Sequence, residues 1–292
     1  MPKGLREIRN RIKSVKSTGQ ITRAMQLVAS SKMKRAQDAA RAGRAYAELL
    51  GEILDTAQSK VGEFTHPLLT KRAVKVRGIL LVTPDKGMAG ALNGNLIRLA
   101  AEQKDAVFVC IGRKGAQALA RSGRKVLADF PVSDRAAFAE VRPAAEYLLK
   151  AFADGAVDTV EVLFAHFKNT MVQSPRVQQL LPADSLVAQA REFRAKLGLP
   201  EPKIEDDERD MLFEPSAAAI LSQLPALFFK QAVHQAVLES KASEFSARMV
   251  AMKAATDNAK KIAAALSLEY NKARQAAITQ EILELTAGAA AQ

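Results

Sequence analysis

Apolar residues near both ends of the chain recur at alternating steps of three and four. One series runs Leu5, Ile8, Ile12, Val15, then Ala29, Met33, Ala36, Ala40, Ala47, Leu50, Leu54 and Ala57. A second runs Phe245, Met249, Met252, Thr256, Ala259, Ala263, Leu266, Tyr270, Ala273 and Ala277. Such steps average about 3.5 residues, the repeat that keeps a stripe facing a partner helix along a left-handed supercoil. The spacing predicts a helix from about Lys3 to about Lys60, ending before Gly62 and the His66-Pro67 turn. It predicts another from Ser216 to about Thr286, with Pro225 either kinking its first turns or marking its true start. At 1.5 Å per residue each would be on the order of 85–90 Å long. Neither helix can bury so narrow a stripe alone, so the two ends are expected to wind around each other. They run antiparallel if the middle of the chain joins them at one end. Gly19 and Gly43 fall on the seam, where each costs about 1 kcal/mol relative to Ala but lets backbones approach closely.

Between these ends the pattern changes to short apolar runs separated by turns. Val76–Val82, Ala106–Ile111, Lys125–Phe130, Thr159–Phe167 and Val172–Leu181 read as strands. Helices are expected from the Gly-rich turn after the first strand to about Gln103, from Lys114 to Arg121 and from Asp134 to Phe152. This alternation predicts a largely parallel, Rossmann-like α/β sheet with an antiparallel addition at its end. The expected organisation is a helix over 1–62, an α/β domain over 74–200, an acidic linker over 201–215 and a helix over 216–287. The fold class is therefore α/β plus a long antiparallel coiled coil of the N- and C-terminal helices. Six acids crowd Glu201–Asp210, interrupted by Pro202, which reads as a solvated loop.

Composition narrows the function. Aromatic residues are scarce at 5% and Trp is absent, which suits slender helices that approach closely. No apolar run nears the roughly 20 residues needed to span a bilayer, so membrane association is expected to run through partners. Cys110, the one cysteine, lies in an apolar strand and reads as a buried thiol in a reducing compartment. Of the net charge of +12, most sits in residues 1–44, which hold twelve Lys and Arg against Glu7 and Asp38. A face that basic either meets an anionic partner or is merely solvated, and its density favours the partner.

Catalytic chemistry is missing from the sequence. The turn Asp85-Lys86-Gly87-Met88-Ala89-Gly90-Ala91-Leu92-Asn93-Gly94 follows a strand, yet it lacks the Gly-Lys-Ser/Thr ending of a phosphate loop and the spacing of a dinucleotide fingerprint. His66, His166 and His234 lie far apart with no metal-ligand spacing, and no nucleophile elbow is present. No catalytic residue, metal or cofactor is expected. Nucleic acid is the rival partner, because Lys32, Lys34 and Arg35 meet its electrostatic requirement; few aromatics accompany them for base stacking.

The two helical ends resemble the gamma subunit of F-type ATP synthases. The resemblance is carried by Ile8-Arg9-Asn10-Arg11-Ile12-Lys13-Ser14-Val15, Ile21-Thr22-Arg23-Ala24-Met25 and Val28-Ala29-Ser30-Ser31-Lys32-Met33. It is carried further by the run from Ala247-Arg248-Met249 to Asp257-Asn258-Ala259, and by Tyr270-Asn271-Lys272-Ala273-Arg274-Gln275-Ala276-Ala277-Ile278-Thr279-Gln280-Glu281. The middle is similar more loosely, at Asp85-Lys86-Gly87, Gln178-Gln179-Leu180-Leu181-Pro182 and Glu214-Pro215-Ser216.

The resemblance implies a non-catalytic rotor shaft turning inside a ring of alpha and beta subunits. It implies an α/β domain beside the epsilon subunit and the c-ring, and a peripheral position on the cytoplasmic face of a bacterial inner membrane. The complex would make ATP from ADP and phosphate, coupled to proton or sodium flow. By position, Arg274 and Gln275 match the family pair that contacts a beta-subunit loop, with Thr279 nearby and Met25 facing that region from the other helix. Lys86 matches a basic residue that meets an acidic beta segment. Met88-Ala89-Gly90 stands where family members often have Leu-Cys-Gly, and the chain lacks the cysteine pair of the chloroplast thiol switch.

Overall fold

The computed structural model of the chain describes residues 3–61, 66–182, 214 and 216–290. Its elements are α1 (Lys3–Val61), β1 (Arg77–Val82), α2 (Leu92–Glu102), β2 (Ala106–Ile111), α3 (Arg113–Arg121), β3 (Val126–Phe130), α4 (Phe138–Ala153), β4 (Thr159–Phe167), β5 (Gln173–Leu181) and α5 (Ala217–Ala290). They fall into two compact units, residues 1–30 with 248–292, and residues 31–247. The acidic stretch Glu201–Asp210, and the side chains expected on the seam at Gly43, Ala47, Leu50, Leu54 and Ala57, lie outside the described part.

In the first unit α1 and α5 pack as an antiparallel pair. A Cβ built on Gly19 would stand 3.3 Å from the Ala259 methyl, and the Thr22 and Thr256 hydroxyls meet at 2.8 Å. Three residues forward on α1 thus answer three residues back on α5. On α1 the inward positions are Leu5, Ile8, Ile12, Val15, Gly19, Thr22 and Ala29; on α5 they are Met252, Thr256, Ala259, Ala263 and Leu266, continuing half-buried through Tyr270, Ala273 and Ala277. The predicted seam on α5 is therefore the observed one. Carried on at this register, Leu5 falls level with Ala273. The last turns of α5 have no described α1 residue beside them, and there Ile278, Ile282, Leu283 and Leu285 are exposed, Leu285 by 74%.

The second unit is built on a five-stranded sheet of order β3-β2-β1-β4-β5. β1 pairs in parallel with β2 and with β4, and β5 closes the edge antiparallel to β4. An edge strand tolerates Pro175, which has no N–H to give to a further neighbour. Alternation along the strands feeds two cores. Leu80, Val82, Val109, Val162 and Phe164 pack with Val141, Leu148 and Phe152 of α4 and with Phe229, Val233 and Val237 of α5. On the other face Ile79, Leu81, Phe108, Cys110 and Leu163 meet Leu92, Leu96 and Ala100 of α2 and Leu119 of α3. Burial pushes the Cys110 thiol up to about 12, with the Asp129 charge adding to it, so it behaves as a core hydrophobe.

One boundary differs from the sequence reading. α4 begins at Phe138 rather than Asp134, because Ala136 takes a positive φ of 47° that no right-handed helix accommodates. α5 begins at Ala217, within a residue of the expected Ser216, and of the two places left open for Pro225 the structure takes the one inside the helix. Its ring removes the N–H that would have donated to the Leu221 carbonyl.

Candidate partner-binding surfaces

On the first unit, the expected contact residues Arg274, Gln275 and Thr279 are all exposed on α5. They lie off the inward positions Tyr270, Ala273 and Ala277, so they point away from the α1 seam. The Thr279 hydroxyl donates to the Gln275 carbonyl at 2.9 Å, as a hydroxyl within a helix commonly does. Arg274 and Gln275 thus present five guanidinium donors and an amide side by side, a set suited to a carbonyl- or carboxylate-bearing loop. Met25 is half-buried on α1. At the observed register it falls level with Lys253, on the order of 30 Å along α5 from Arg274, so the two are not brought together. A shallow recess of about 460 Å³ does open on this unit, where Gly19, Ala259, Ala263 and Ala264 leave room between Lys16, Arg23 and Lys260.

On the second unit Lys86 is exposed in the β1–α2 turn. The sequence there is shaped as a display loop. Ala89 is buried and anchors it, Met88 and Gly90 take positive φ to reverse the chain, and Met88 is 58% exposed. The Asp85 carboxylate accepts the Arg113 N–H at 2.9 Å, tying the turn to the start of α3. Beneath it, the Thr83 hydroxyl donates to the Gly112 carbonyl and accepts the Gly115 N–H. Gly112 has to be glycine: its φ is 99° and a Cβ would lie 1.8 Å from the Thr83 carbonyl oxygen.

Sequence reasoning missed one group. Asp134, in the loop before α4, forms an ion pair with Lys32 of α1. An aspartate just ahead of an apolar run is a common helix-capping signal, and that reading hid it. Among the described residues no three His, Cys, Asp or Glu are grouped to hold a metal, and no helix is long and apolar enough to cross a membrane.

Residues 4–292 match the family described as ATP synthase. An ATP synthase gamma chain from Opitutus terrae is 54% identical over 283 residues, covering 97% of this chain and 96% of that one. The chain belongs to the ATP synthase gamma chain family. A further gamma chain, from Akkermansia muciniphila, is 44% identical with 97% of each chain covered. Among solved structures, a chain of the Tetrahymena thermophila mitochondrial ATP synthase central stalk and c-ring superposes with a TM-score of 0.55 at 25% identity, covering 80% of this chain and 99% of that one. A chain of the Euglena gracilis mitochondrial ATP synthase gives 0.66 at 18% identity, covering 100% and 95%, which is agreement of fold. The gamma-chain fold is thus the one built here, a mixed five-stranded sheet with long N- and C-terminal helices. Nothing in these relationships supports a nucleic-acid-binding role.

Proposed function

We propose that this gamma chain is the central rotor shaft of a proton- or sodium-translocating F-type ATP synthase. It couples rotation of a membrane c-ring to changes at the beta-subunit nucleotide sites. The observation that carries the reading is the close antiparallel pair, Gly19 against Ala259 and Thr22 bonded to Thr256, in a chain of this family. A shaft that turns among chemically equivalent subunits needs stiffness, and a seam of small side chains gives close, continuous packing. It also needs an outer face without deep interlocking, and Arg274, Gln275 and Thr279 are exposed polar groups at such positions. The exposed apolar tip of α5 suits a surrounding sleeve of other subunits.

In this reading the chain performs no bond chemistry and is a non-catalytic, peripheral subunit of the membrane complex. Its partners are the alpha and beta subunits, the epsilon subunit and the c-ring, on the cytoplasmic face of a bacterial inner membrane. Residues 1–62 and 216–287 serve as the shaft, 74–200 as the domain outside the ring and 201–215 as the linker. Met25, Lys86, Arg274, Gln275 and Thr279 are the contact residues toward the ring.

Reconstitution tests this directly. An alpha–beta ring assembled with the chain is expected to show sustained rotary ATP hydrolysis, and without it only weak, uncoupled hydrolysis. A chain that neither joins the ring nor alters its turnover overturns the proposal.

A further inference from the structure

A recess of about 290 Å³ in the second unit is lined by Lys32, Arg35, Ala36, Ala39, Asp134 and Arg135. Three of these side chains are cationic, and Asp134 is the one carboxylate among them. Its oxygen takes the Lys32 ammonium. Partial burial alone would raise the Asp134 carboxyl; the Lys32 hydrogen bond and the fields of Lys32, Lys241 and Lys86 overcome this and hold it below the usual carboxylate range. Several cations thus converge on a single anion.

The loop that carries Asp134 is held from several sides. Glu140 accepts the Ser133 N–H at 2.9 Å and the Ser133 hydroxyl at 3.0 Å. His234 donates from Nε2 to the Ala136 carbonyl at 2.8 Å. Ala136 itself is buried and sits in the left-handed region at φ 47°, a conformation a non-glycine residue keeps only when its surroundings impose it. The carboxylate is therefore presented to Lys32 by a loop whose backbone is tied on either side of it.

We infer that Asp134 is an internal stand-in for a carboxylate of an acidic partner segment, occupying the Lys32 site until that segment displaces it. The inference rests on the rotor reading for the identity of the partner and deepens it. An internal carboxylate keeps the site neutralised and weakens the partner's hold enough for release. The recess favours a peptide over a nucleic acid, because no aromatic ring is among its lining residues for base stacking.

The test uses the full chain and a fluorescent peptide of six acidic residues, titrated at several salt concentrations. Asp134→Asn is expected to tighten peptide binding about fivefold, the scale of one partly exposed ion pair, with the gain shrinking as salt rises. Lys32→Ala is expected to weaken binding and to abolish the gain from Asp134→Asn when the two are combined. Asp154→Asn makes the same charge change at an exposed position at the end of α4 and is expected to leave affinity unchanged. Should Asp134→Asn disturb the loop, as judged by melting temperature, Asp134→Ser takes its place. Equal affinity in wild type and the Asp134 variant, or an equal gain from Asp154→Asn, overturns the inference, as does tighter binding of a single-stranded oligonucleotide than of the peptide. Failure of the wild-type chain to join the alpha–beta ring would instead count against the rotor reading and leave the peptide result standing.

Discussion

Thr22 of α1 and Thr256 of α5 share a 2.8 Å hydrogen bond across an otherwise apolar seam. Each hydroxyl also has an acceptor in its own helix, the Gly19 carbonyl at 3.1 Å for Thr22 and the Met252 carbonyl at 2.8 Å for Thr256, so either can supply the proton between them. A polar pair at one layer of a coiled coil penalises a slip, because a shifted register would lose the bond between the hydroxyls and set each against apolar neighbours.

Thr22→Val should therefore cost about 1 kcal/mol, and Thr256→Val about as much or somewhat more. The double replacement, which loses the shared bond once rather than twice, should cost less than the two singles together. Urea unfolding followed by far-UV circular dichroism gives the cycle. Strictly additive losses would show that the two hydroxyls do not act as a pair.

Close approach at Gly19 makes a second prediction. An added methyl would meet the Ala259 methyl at 3.3 Å, tighter than ordinary contact. Gly19→Ala gains about 1 kcal/mol of helix propensity and loses a similar amount to crowding, so its net effect should stay within about 1 kcal/mol. Gly19→Val should destabilise by about 2 kcal/mol, with Ala259→Gly recovering part. A tolerated valine in the same unfolding assay would mean the helices do not meet here.

How much of this was legible beforehand differs between the helices. Along α5 every predicted inward position from Met252 to Ala277 is buried or half-buried, because the 3.5-residue repeat is written in apolar or small side chains. On α1 the apolar series breaks between Val15 and Ala29; there the seam is kept by Gly19, which the repeat does place on it, and by Thr22, which hydrophobicity alone does not flag. The start of α4 was misread for a similar reason: Asp134-Arg135 looks like a helix entry, and nothing local announces that Ala136 will adopt positive φ. That strain is imposed by tertiary partners. Asp134 was missed with it.

Acid sensitivity should follow from His234. Burial lowers its imidazole below the usual 6.5, and the hydrogen bond to Ala136 only partly opposes this. As pH falls through 6.5, the unfolded chain takes up a proton that the folded chain refuses until lower pH. Stability should therefore be full above pH 6.5 and decline below it. His234→Gln, whose amide can still donate to Ala136, should flatten the pH dependence of the urea midpoint between pH 5 and 7 without abolishing it, since burial also lowers His66. An unchanged slope would contradict the assignment.

Arg274 is exposed and off the seam, so Arg274→Ala should change stability by no more than about 0.5 kcal/mol. Affinity for the alpha–beta ring should drop by roughly tenfold or more, the scale of an interfacial arginine. Lys at this position should not restore it, because an ammonium cannot reproduce a planar two-pronged contact. A large fall in melting temperature would reassign Arg274 to the fold.

The uncovered Ile278, Ile282, Leu283 and Leu285 make the isolated polypeptide sticky. Until companions sheathe that greasy tail it will seek any oily surface within reach, another copy included. Synthesis of the chain therefore has to keep step with synthesis of whatever encloses it, and a preparation made alone will be prone to clumping.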